Sequence, residues 1–262
     1  MKIKPKDLTA LSDARSEYAD ALRSFARELE NAVRFSVALR GSTSSHGRQH
    51  WSSVIFTKLV LSGMSLRKLV PPGVPVRKDE LWDLASVACL ARAFLENVLI
   101  LQWLCGNDEG EDLWQFRIVA MQIVDNRARY RMIDEPQGGD EPLDFQQSQK
   151  SLEDHIRRTE YFNSLSAIKQ KEILKGNKLP FIHDEVIDTL GFEQKSFRSL
   201  YRYLSSFVHT GTISFWRMKD TGRGDGSSNL YDTQAINAIF IVLTEMLTAA
   251  LRIMREIHGK SA

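Results

Sequence analysis

The sequence predicts an all-α protein, and three observations support this fold class. Apolar residues recur at spacings of three and four along most of the chain, which is the period of an amphipathic helix. The 262 residues include only 15 glycines and 7 prolines, a smaller share than the roughly 12 % of average composition. No segment shows the strict alternation of Val, Ile and Thr that marks a strand, and Ile213–Met218 is the one stretch short enough for a stray strand.

Three long helices are predicted in the first 105 residues, at Leu8–Arg40, His50–Val70 and about Asp79–Cys105. Gly41 ends the first helix, and the proline-rich run Pro71–Pro75 ends the second. The third is apolar nearly all round, which predicts a central position in the bundle.

Six more helices are predicted after residue 106, separated by loops that contain glycine or proline. They are expected at about Asp112–Ile133, Phe145–Tyr161, His183–Leu190, Glu193–His209 and Tyr231–His258, with a short helix and turn over Leu165–Lys178. Lys219–Asn229 is the clearest flexible loop. No internal repeat and no shift in composition demands a boundary, so we predict a single helical domain over residues 1–262. Pro71–Pro75 is the best candidate for a boundary, and it would leave residues 1–75 as an N-terminal helical extension.

Composition and charge exclude several classes of protein. The chain has 35 Lys and Arg against 33 Asp and Glu, a formal net charge of +2, which lacks the basic excess of a dedicated nucleic-acid coat. Collagen, wholesale disorder and a loop-rich disulfide scaffold are excluded as well. Cys89 and Cys105 lie on one predicted helix about 24 Å apart, too far for a disulfide. No secretory signal is visible, so we expect a cytoplasmic protein.

Two segments are apolar enough to be mistaken for membrane spans, Leu84–Cys105 and Ala235–Leu251. The first contains Arg92 and Glu96, and the second contains Glu245. Each charge at mid-span costs roughly 2.5–3.5 kcal/mol of insertion free energy. Both segments are therefore predicted to be buried core helices, and no membrane partner is expected.

Familiar catalytic and metal-binding patterns are absent from the sequence. His46 and His50 have the four-residue spacing of a zinc site, but no acidic or Cys ligand lies nearby, which favours an exposed pair where a helix begins. Gly222–Gly226 matches neither the dinucleotide nor the P-loop spacing and is interpreted as a linker. No hydrolase or zinc-finger signature is found, so we expect no metal and no cofactor.

Arg92 and Glu96 are the first informative pair, because they lie four residues apart inside the most apolar predicted helix. An unpaired charge there would be expensive. Either the two side chains pair with each other, or they reach polar groups on a neighbouring helix that lines a cleft.

A second informative stretch runs from Ser199 to Gly211. Arg202 and His209 are seven residues apart and share one helix face with an offset of about 20°. Ser205 lies between them and Tyr201 flanks the same stripe, while Leu204, Phe207 and Val208 are predicted to form the apolar side.

This set of side chains suits metal-independent RNA cleavage. A histidine exchanges protons near neutral pH, so His209 could take a proton from a 2′-hydroxyl or return one to the leaving oxygen. Arg202 could hold the phosphate and stabilise its developing charge. The alternative is structural: a histidine at a helix C-terminus is favoured by the helix dipole, and an exposed arginine is ordinarily solvated.

The spacing Arg202-x6-His209 near the end of a helix resembles the Arg-x4-6-His motif of the HEPN superfamily, which is found in helical endoribonucleases of toxin–antitoxin, abortive-infection and other antiviral systems. The segments Leu90–Glu96 and Tyr201–Gly211 also resemble bacterial helical proteins of unknown function that we associate with these folds. The resemblance covers about residues 80–258. Tyr203 follows the motif arginine, where the superfamily often has Asn, Asp or His.

The resemblance implies an all-α, HEPN-like helical bundle core with additional N-terminal helices. It further implies a homodimer that faces two motifs across a groove, and endoribonuclease activity on RNA in defence or stress response. His209, Arg202 and Ser205 would be the catalytic residues, with Arg92, Glu96 and Tyr201 supporting them. We also expect Arg127 and Arg131 to contact the RNA backbone. The rival hypothesis is a non-catalytic interaction or dimerisation protein with a structural Arg-Ser-His network. A nucleotide-binding or small-molecule pocket around Arg92 is a third hypothesis.

Overall fold

A computed structural model describes residues 5–72, 80–106, 109–133, 135, 138, 142–181, 183–216 and 226–259. Every regular element in these residues is helical, which confirms the all-α class. The helices are α1 (Pro5–Ala38), α2 (Gly47–Leu69), α3 (Leu84–Leu101), α4 (Glu111–Ile133), α5 (Leu143–Ile156), α6 (Glu160–Ser164), α7 (Ala167–Leu174), α8 (His183–Leu190), α9 (Gln194–Val208), α10 (Thr212–Phe215) and α11 (Leu230–His258).

The chain divides into two compact units. Unit 1 comprises Met1–Gly106 together with Asp184–Ala262, and unit 2 comprises Asn107–His183. Unit 1 is therefore built from both ends of the chain, and unit 2 is a continuous segment between α3 and α8. This division does not test whether the two units form one domain, so the single helical domain over residues 1–262 stays a prediction.

The core of unit 1 forms where α1, α2, α3 and α11 pack together. Phe25 of α1 lies at its centre, with its ring 6.1 Å from the ring of Phe94 and 5.0 Å from that of Phe240, both edge-on. Gly63 lets α2 approach α1 closely, since a Cβ there would lie 2.8 Å from a methyl carbon of Leu29. These contacts fix α3 as a central helix, as its apolar sequence predicts.

Two helical segments of the described chain are long and apolar enough to cross a membrane by length and composition alone, Leu84–Gly106 and Leu230–His258. Slightly more than half of each apolar window is buried inside the protein. The first segment continues α3 into a π-helical turn at Gln102–Gly106. Both cysteines lie in this segment and are free thiols, as their predicted separation requires. The absence of a membrane partner stays a prediction.

Unit 2 packs α5, α6 and α7 around α4. Its core consists of the buried residues Phe116, Val119, Ala120, Ile123, Ile156, Phe162 and Ile173. The prediction of one helix over Phe145–Tyr161 is wrong, because the chain breaks after Ile156 and α6 begins at Glu160. Thr159 caps α6 by accepting from the Phe162 amide. Asp112 of α4 accepts from the amides of Glu160 and Tyr161 at 2.9 and 2.8 Å, so a second helix holds the break in place.

Four other sequence predictions differ from the structure or fall outside the described residues. The third helix begins at Leu84 rather than Asp79, because Asp83 caps it by accepting from the Ser86 amide. The described part of Ile213–Met218 is helical rather than a strand. Most of the Pro71–Pro75 boundary and most of the Lys219–Asn229 loop, including Gly222–Asp225, lie outside the described residues.

Candidate functional site

The candidate site lies in unit 1, where α9 packs against α3. Glu193 begins α9 by accepting from the amides of Lys195 and Ser196. Leu204 and Phe207 are buried. Helix α9 is strongly amphipathic, with its apolar residues on one side and its polar residues on the other. Burial of the apolar side fixes the rotation of α9 about its axis and so decides which polar residues face α3.

Four side chains form a polar cluster between the two helices, which we call the seam cluster: Arg92, Glu96, Tyr201 and Ser205. Arg92 Nε donates to Ser205 Oγ at 3.0 Å, and Arg92 Nη2 donates to the Tyr201 hydroxyl. The Tyr201 hydroxyl donates to Glu96 Oε1 at 3.0 Å, and Ser205 Oγ donates to the Tyr201 carbonyl at 2.7 Å. Because Glu96 meets Tyr201 while Arg92 reaches Ser205, α3 and α9 run antiparallel.

Arg92 is the centre of this cluster. Its side chain is only 15 % exposed, and its Nη1 lies 2.8 Å from Glu96 Oε1. That approach is an ion pair rather than a well-directed hydrogen bond, since the buried Nη1 has no hydrogen-bond partner of good geometry among the described residues. The guanidinium carbon also lies 3.5 Å from the centre of the Tyr201 ring, a cation–π contact. Arg92 therefore pairs with Glu96 and also reaches polar groups of a neighbouring helix, so both kinds of contact are present. That this helix lines a cleft stays a prediction.

Tyr201 is held as a neutral phenol. Burial raises the pKa of Tyr201 to about 12, with Glu96 adding to the rise and Arg92 opposing it. The ring also stacks on Phe197 at 6.0 Å, which restricts its rotation. Tyr201 is therefore a hydrogen-bond donor to Glu96 throughout the physiological pH range.

Arg202 and His209 lie on the solvent side of α9. Both are exposed, and no hydrogen bond or ion pair joins either side chain to another described residue. Their spacing of two turns places them on one stripe of the helix. The predicted catalytic trio is thus divided, because the hydroxyl of Ser205 is committed to α3 while Arg202 and His209 face solvent.

Helix α9 ends at Val208, and His209 is its C-cap residue. Thr210 adopts a left-handed conformation with φ 49°, and its amide donates to the Phe207 carbonyl at 3.3 Å. The amide of Gly211 donates to the Ser206 carbonyl at 2.6 Å. This is the Schellman arrangement of a helix end, with threonine where glycine is preferred. Strained non-glycine residues of this kind concentrate at functional sites.

The two arginines expected to contact RNA lie in unit 2 and contact a turn there. A Cβ at Gly176, which has φ 61°, would lie 2.7 Å from Cγ of Arg127, so this side chain packs directly on the turn. Arg131 Nη2 donates to Asn177 Oδ1 at 2.6 Å. Both side chains therefore contact the chain that follows α7, and their role in RNA binding stays a prediction.

Sequence reasoning missed an exposed apolar surface beside His209. Val208, predicted on the buried side, is 46 % exposed, which corrects that prediction. Phe215 and Trp216 follow on α10 and just beyond it, and are 47 % and 72 % exposed. Two consecutive aromatics after a short polar stretch were the available signal, but only the fold shows that they face solvent.

Histidines elsewhere in unit 1 do not assemble into a metal centre. His46 caps α2 by accepting from the Gln49 amide, and His50 is exposed one turn later, as predicted for a pair where a helix begins. Within the described ranges, no group of three or more His, Cys, Asp or Glu side chains could hold a metal ion.

The fold and the site define an all-helical protein with a polar cluster between two of its core helices. The chain belongs to a family of unknown function, DUF5677, and the family match covers residues 80–227. This range includes the seam cluster, Arg202 and His209, as well as all of unit 2. Searches of curated proteins and of solved structures found no match. The resemblance to the HEPN superfamily is not tested by these comparisons and stays a prediction.

Proposed function

We propose that this protein is a metal-independent endoribonuclease of a defence or stress system, with His209 as acid/base and Arg202 as phosphate-binding residue. One observation carries the proposal. Arg202 and His209 share the solvent-facing stripe of α9 without described intramolecular partners, whereas Tyr201 and Ser205 anchor the same helix to α3. A free cation and a free imidazole on an anchored helix can meet a phosphodiester without first breaking internal contacts.

The proposed reaction is an intramolecular transesterification of RNA. His209 accepts the proton of a 2′-hydroxyl as that oxygen attacks phosphorus, and the bond from phosphorus to the 5′-oxygen breaks. The proton is then returned to the leaving 5′-oxygen, which leaves a 2′,3′-cyclic phosphate and a 5′-hydroxyl. Arg202 stabilises the charge that develops on the phosphate oxygens.

The seam cluster supplies position rather than chemistry in this proposal. Arg92 connects α3 to both Tyr201 and Ser205, which lie four residues apart on α9. Two attachment points on one helix fix its rotation and therefore the direction of the Arg202–His209 stripe. Ser205 would act through this anchoring, so it is a positioning residue.

The exposed aromatics favour a single-stranded substrate. Phe215 and Trp216 follow His209 by six and seven residues, and α10 packs against α9. Exposed aromatic rings stack on unpaired bases, and such stacking does not depend on sequence. We expect Trp216 to contribute to binding of single-stranded RNA rather than to the chemical step.

Cleavage of defined single-stranded and structured RNAs in excess chelator tests the proposal. We expect His209→Ala and Arg202→Ala to lose at least 100-fold in rate. His50→Ala and Arg252→Ala are matched controls, because they remove the same exposed side chains elsewhere in unit 1 and should cleave normally. Products ending in 2′,3′-cyclic phosphate are expected. Absent cleavage, or equal cleavage by all five proteins, rules the proposal out.

A second candidate function is a non-catalytic interaction protein, favoured by the exposed apolar residues Val208, Ile213 and Trp216. Patches of this kind mark protein interfaces. In that case His209→Ala would leave RNA intact, and Trp216→Ala would change the oligomeric state. Sedimentation velocity of the parent and the Trp216→Ala protein measures this, and it also tests the homodimer that the HEPN resemblance implies.

A further inference from the structure

Unit 2 contains an open cleft of about 330 Å³, and all of its lining residues belong to this unit. Its floor is apolar, formed by Phe116 of α4 and Ile173 of α7, both buried in the unit 2 core. Its sides are formed by Tyr161, Leu165, Leu179 and Phe181. The volume is at the lower end of the roughly 300–1,000 Å³ of ligand pockets, which suits a small ligand.

One wall of the cleft exists because the chain turns sharply after α7. Gly176 has φ 61°, a conformation that other residues rarely adopt, and it is buried. Arg127 packs on this glycine, and Arg131 binds Asn177 at 2.6 Å. Two arginines of α4 therefore hold the turn that brings residues 178–181 to the cleft, which makes the wall preformed.

The rim of the cleft carries an excess of positive charge. Glu172 is paired with Lys175 at 2.5 Å, and this contact lowers the pKa of the Glu172 carboxyl. Lys169 and Lys178 also line the cleft, and both are exposed. No ion pair joins either of these two ammonium groups to a described residue, although Lys178 adds to the lowering of the Glu172 pKa. Beside them, Ile168 exposes 78 % of its surface at the opening.

From this combination we infer that unit 2 binds a small amphiphile with an apolar body and an anionic head. The body occupies the floor between Phe116 and Ile173, where it loses contact with water. The head, a carboxylate or a phosphate, is held by Lys169 and Lys178, each of which has three donors on a flexible stem. Neither the proposed nuclease activity nor the family match assigns a ligand to this cleft.

Competition against a fluorescent probe tests the inference on the full chain. The probe is 8-anilinonaphthalene-1-sulfonate, and the competitors are decanoate, decyl phosphate, decanol and decyltrimethylammonium, which share one chain length. We expect the two anions to displace the probe at about tenfold lower concentration than the cation, with decanol intermediate. The order of decanoate and decyl phosphate identifies the preferred head. Equal competition by the cation, or no displacement at all, overturns the inference.

Two variants locate the binding site. Lys169→Gln with Lys178→Gln should weaken decanoate about fivefold, since each exposed pair contributes modestly. Lys150→Gln with Arg129→Gln is the matched control, because it removes two exposed cations of unit 2 that do not line the cleft. Leu179→Trp should fill the cleft and abolish displacement of the fluorescent probe by decanoate. The two double variants decide the question if Leu179→Trp fails to fold, and equal decanoate binding by both of them overturns the inference.

Discussion

The two sides of α9 use similar side chains in opposite ways. On the side that faces α3, Tyr201 and Ser205 are bound to Arg92, whose charge is almost wholly removed from water. On the solvent side, Arg202 and His209 are exposed and joined to no other described side chain. Arg92 of α3 thus uses its donors within the protein at one side of α9, whereas Arg202 keeps its donors available at the other side.

This difference separates stability from function along a single helix. A buried, hydrogen-bonded guanidinium contributes to the free energy of unfolding, because its loss leaves partners unsatisfied. An exposed guanidinium contributes little to that free energy and is available to a phosphate. Substitutions on the two sides should therefore fail in different assays.

The largest expected effect on stability is that of Arg92→Met. We expect the free energy of unfolding to fall by about 2 kcal/mol, because three side chains lose a charged partner while half-exposed Glu96 can be rehydrated. Arg202→Met should change it by no more than about 0.5 kcal/mol. Urea unfolding followed by circular dichroism measures both, and equal losses would contradict the division between the two sides.

Thr210→Gly should have a smaller effect of opposite sign. Threonine with φ 49° is strained by about 1–2 kcal/mol, and glycine relieves this strain. Glycine also has a larger conformational entropy in the unfolded chain, which offsets part of the stabilisation. We expect a net stabilisation of roughly 0.5–1 kcal/mol by thermal unfolding. Thr212→Gly is the matched control, since Thr212 begins α10 in ordinary helical conformation. This variant should be destabilised by a similar amount, because glycine has the lower helix propensity. Destabilisation by Thr210→Gly would show that no strain is held beside His209.

The smallest expected effect is that of Tyr201 on how the free energy of unfolding changes with pH above about pH 10. The folded state raises the pKa of Tyr201 to about 12, above its ordinary value near 10, so the unfolded chain loses this proton first. Stability should be unaffected by Tyr201 below about pH 10 and should fall between about pH 10 and 12. In Tyr201→Phe this fall should be shallower, and Tyr18 and Cys89, whose pKa values burial also raises, contribute to the part that remains. Urea unfolding of both proteins at pH 8, 10 and 11 checks this. If stability falls equally with pH in the parent and in Tyr201→Phe, Tyr201 does not form the buried contacts of the seam cluster.

Local sequence predicted the helices better than it predicted their contacts. Apolar spacing identified α3 and α9 and the need of Arg92 for a partner. It could not identify Ser205 as that partner, because the two residues are 113 positions apart and the pairing depends on how two helices pack. Likewise, the break before α6 depends on Asp112 of another helix, and no local pattern contains that information.

Helical spacing predicted which residues share a helix face at the candidate site but not how that face packs. Helical spacing correctly placed Arg202 and His209 on one stripe, since that follows from 3.6 residues per turn. It also placed Ser205 on that stripe, although Ser205 lies about 60° from Arg202 and about 40° from His209 around the helix. The burial of Leu204 and Phe207 turns Ser205 toward α3. A rotation of this size is set by the core, which sequence spacing alone does not fix.

The long separation between α3 and α9 has a consequence for synthesis of the chain on the ribosome. Arg92 and Glu96 emerge more than a hundred residues before Tyr201 and Ser205, and all of unit 2 is translated in between. A nascent chain that has not reached residue 194 therefore presents the polar face of α3 without its partner helix. Such a chain lacks both the anchoring contacts and His209, so the proposed activity cannot begin until α9 has been made.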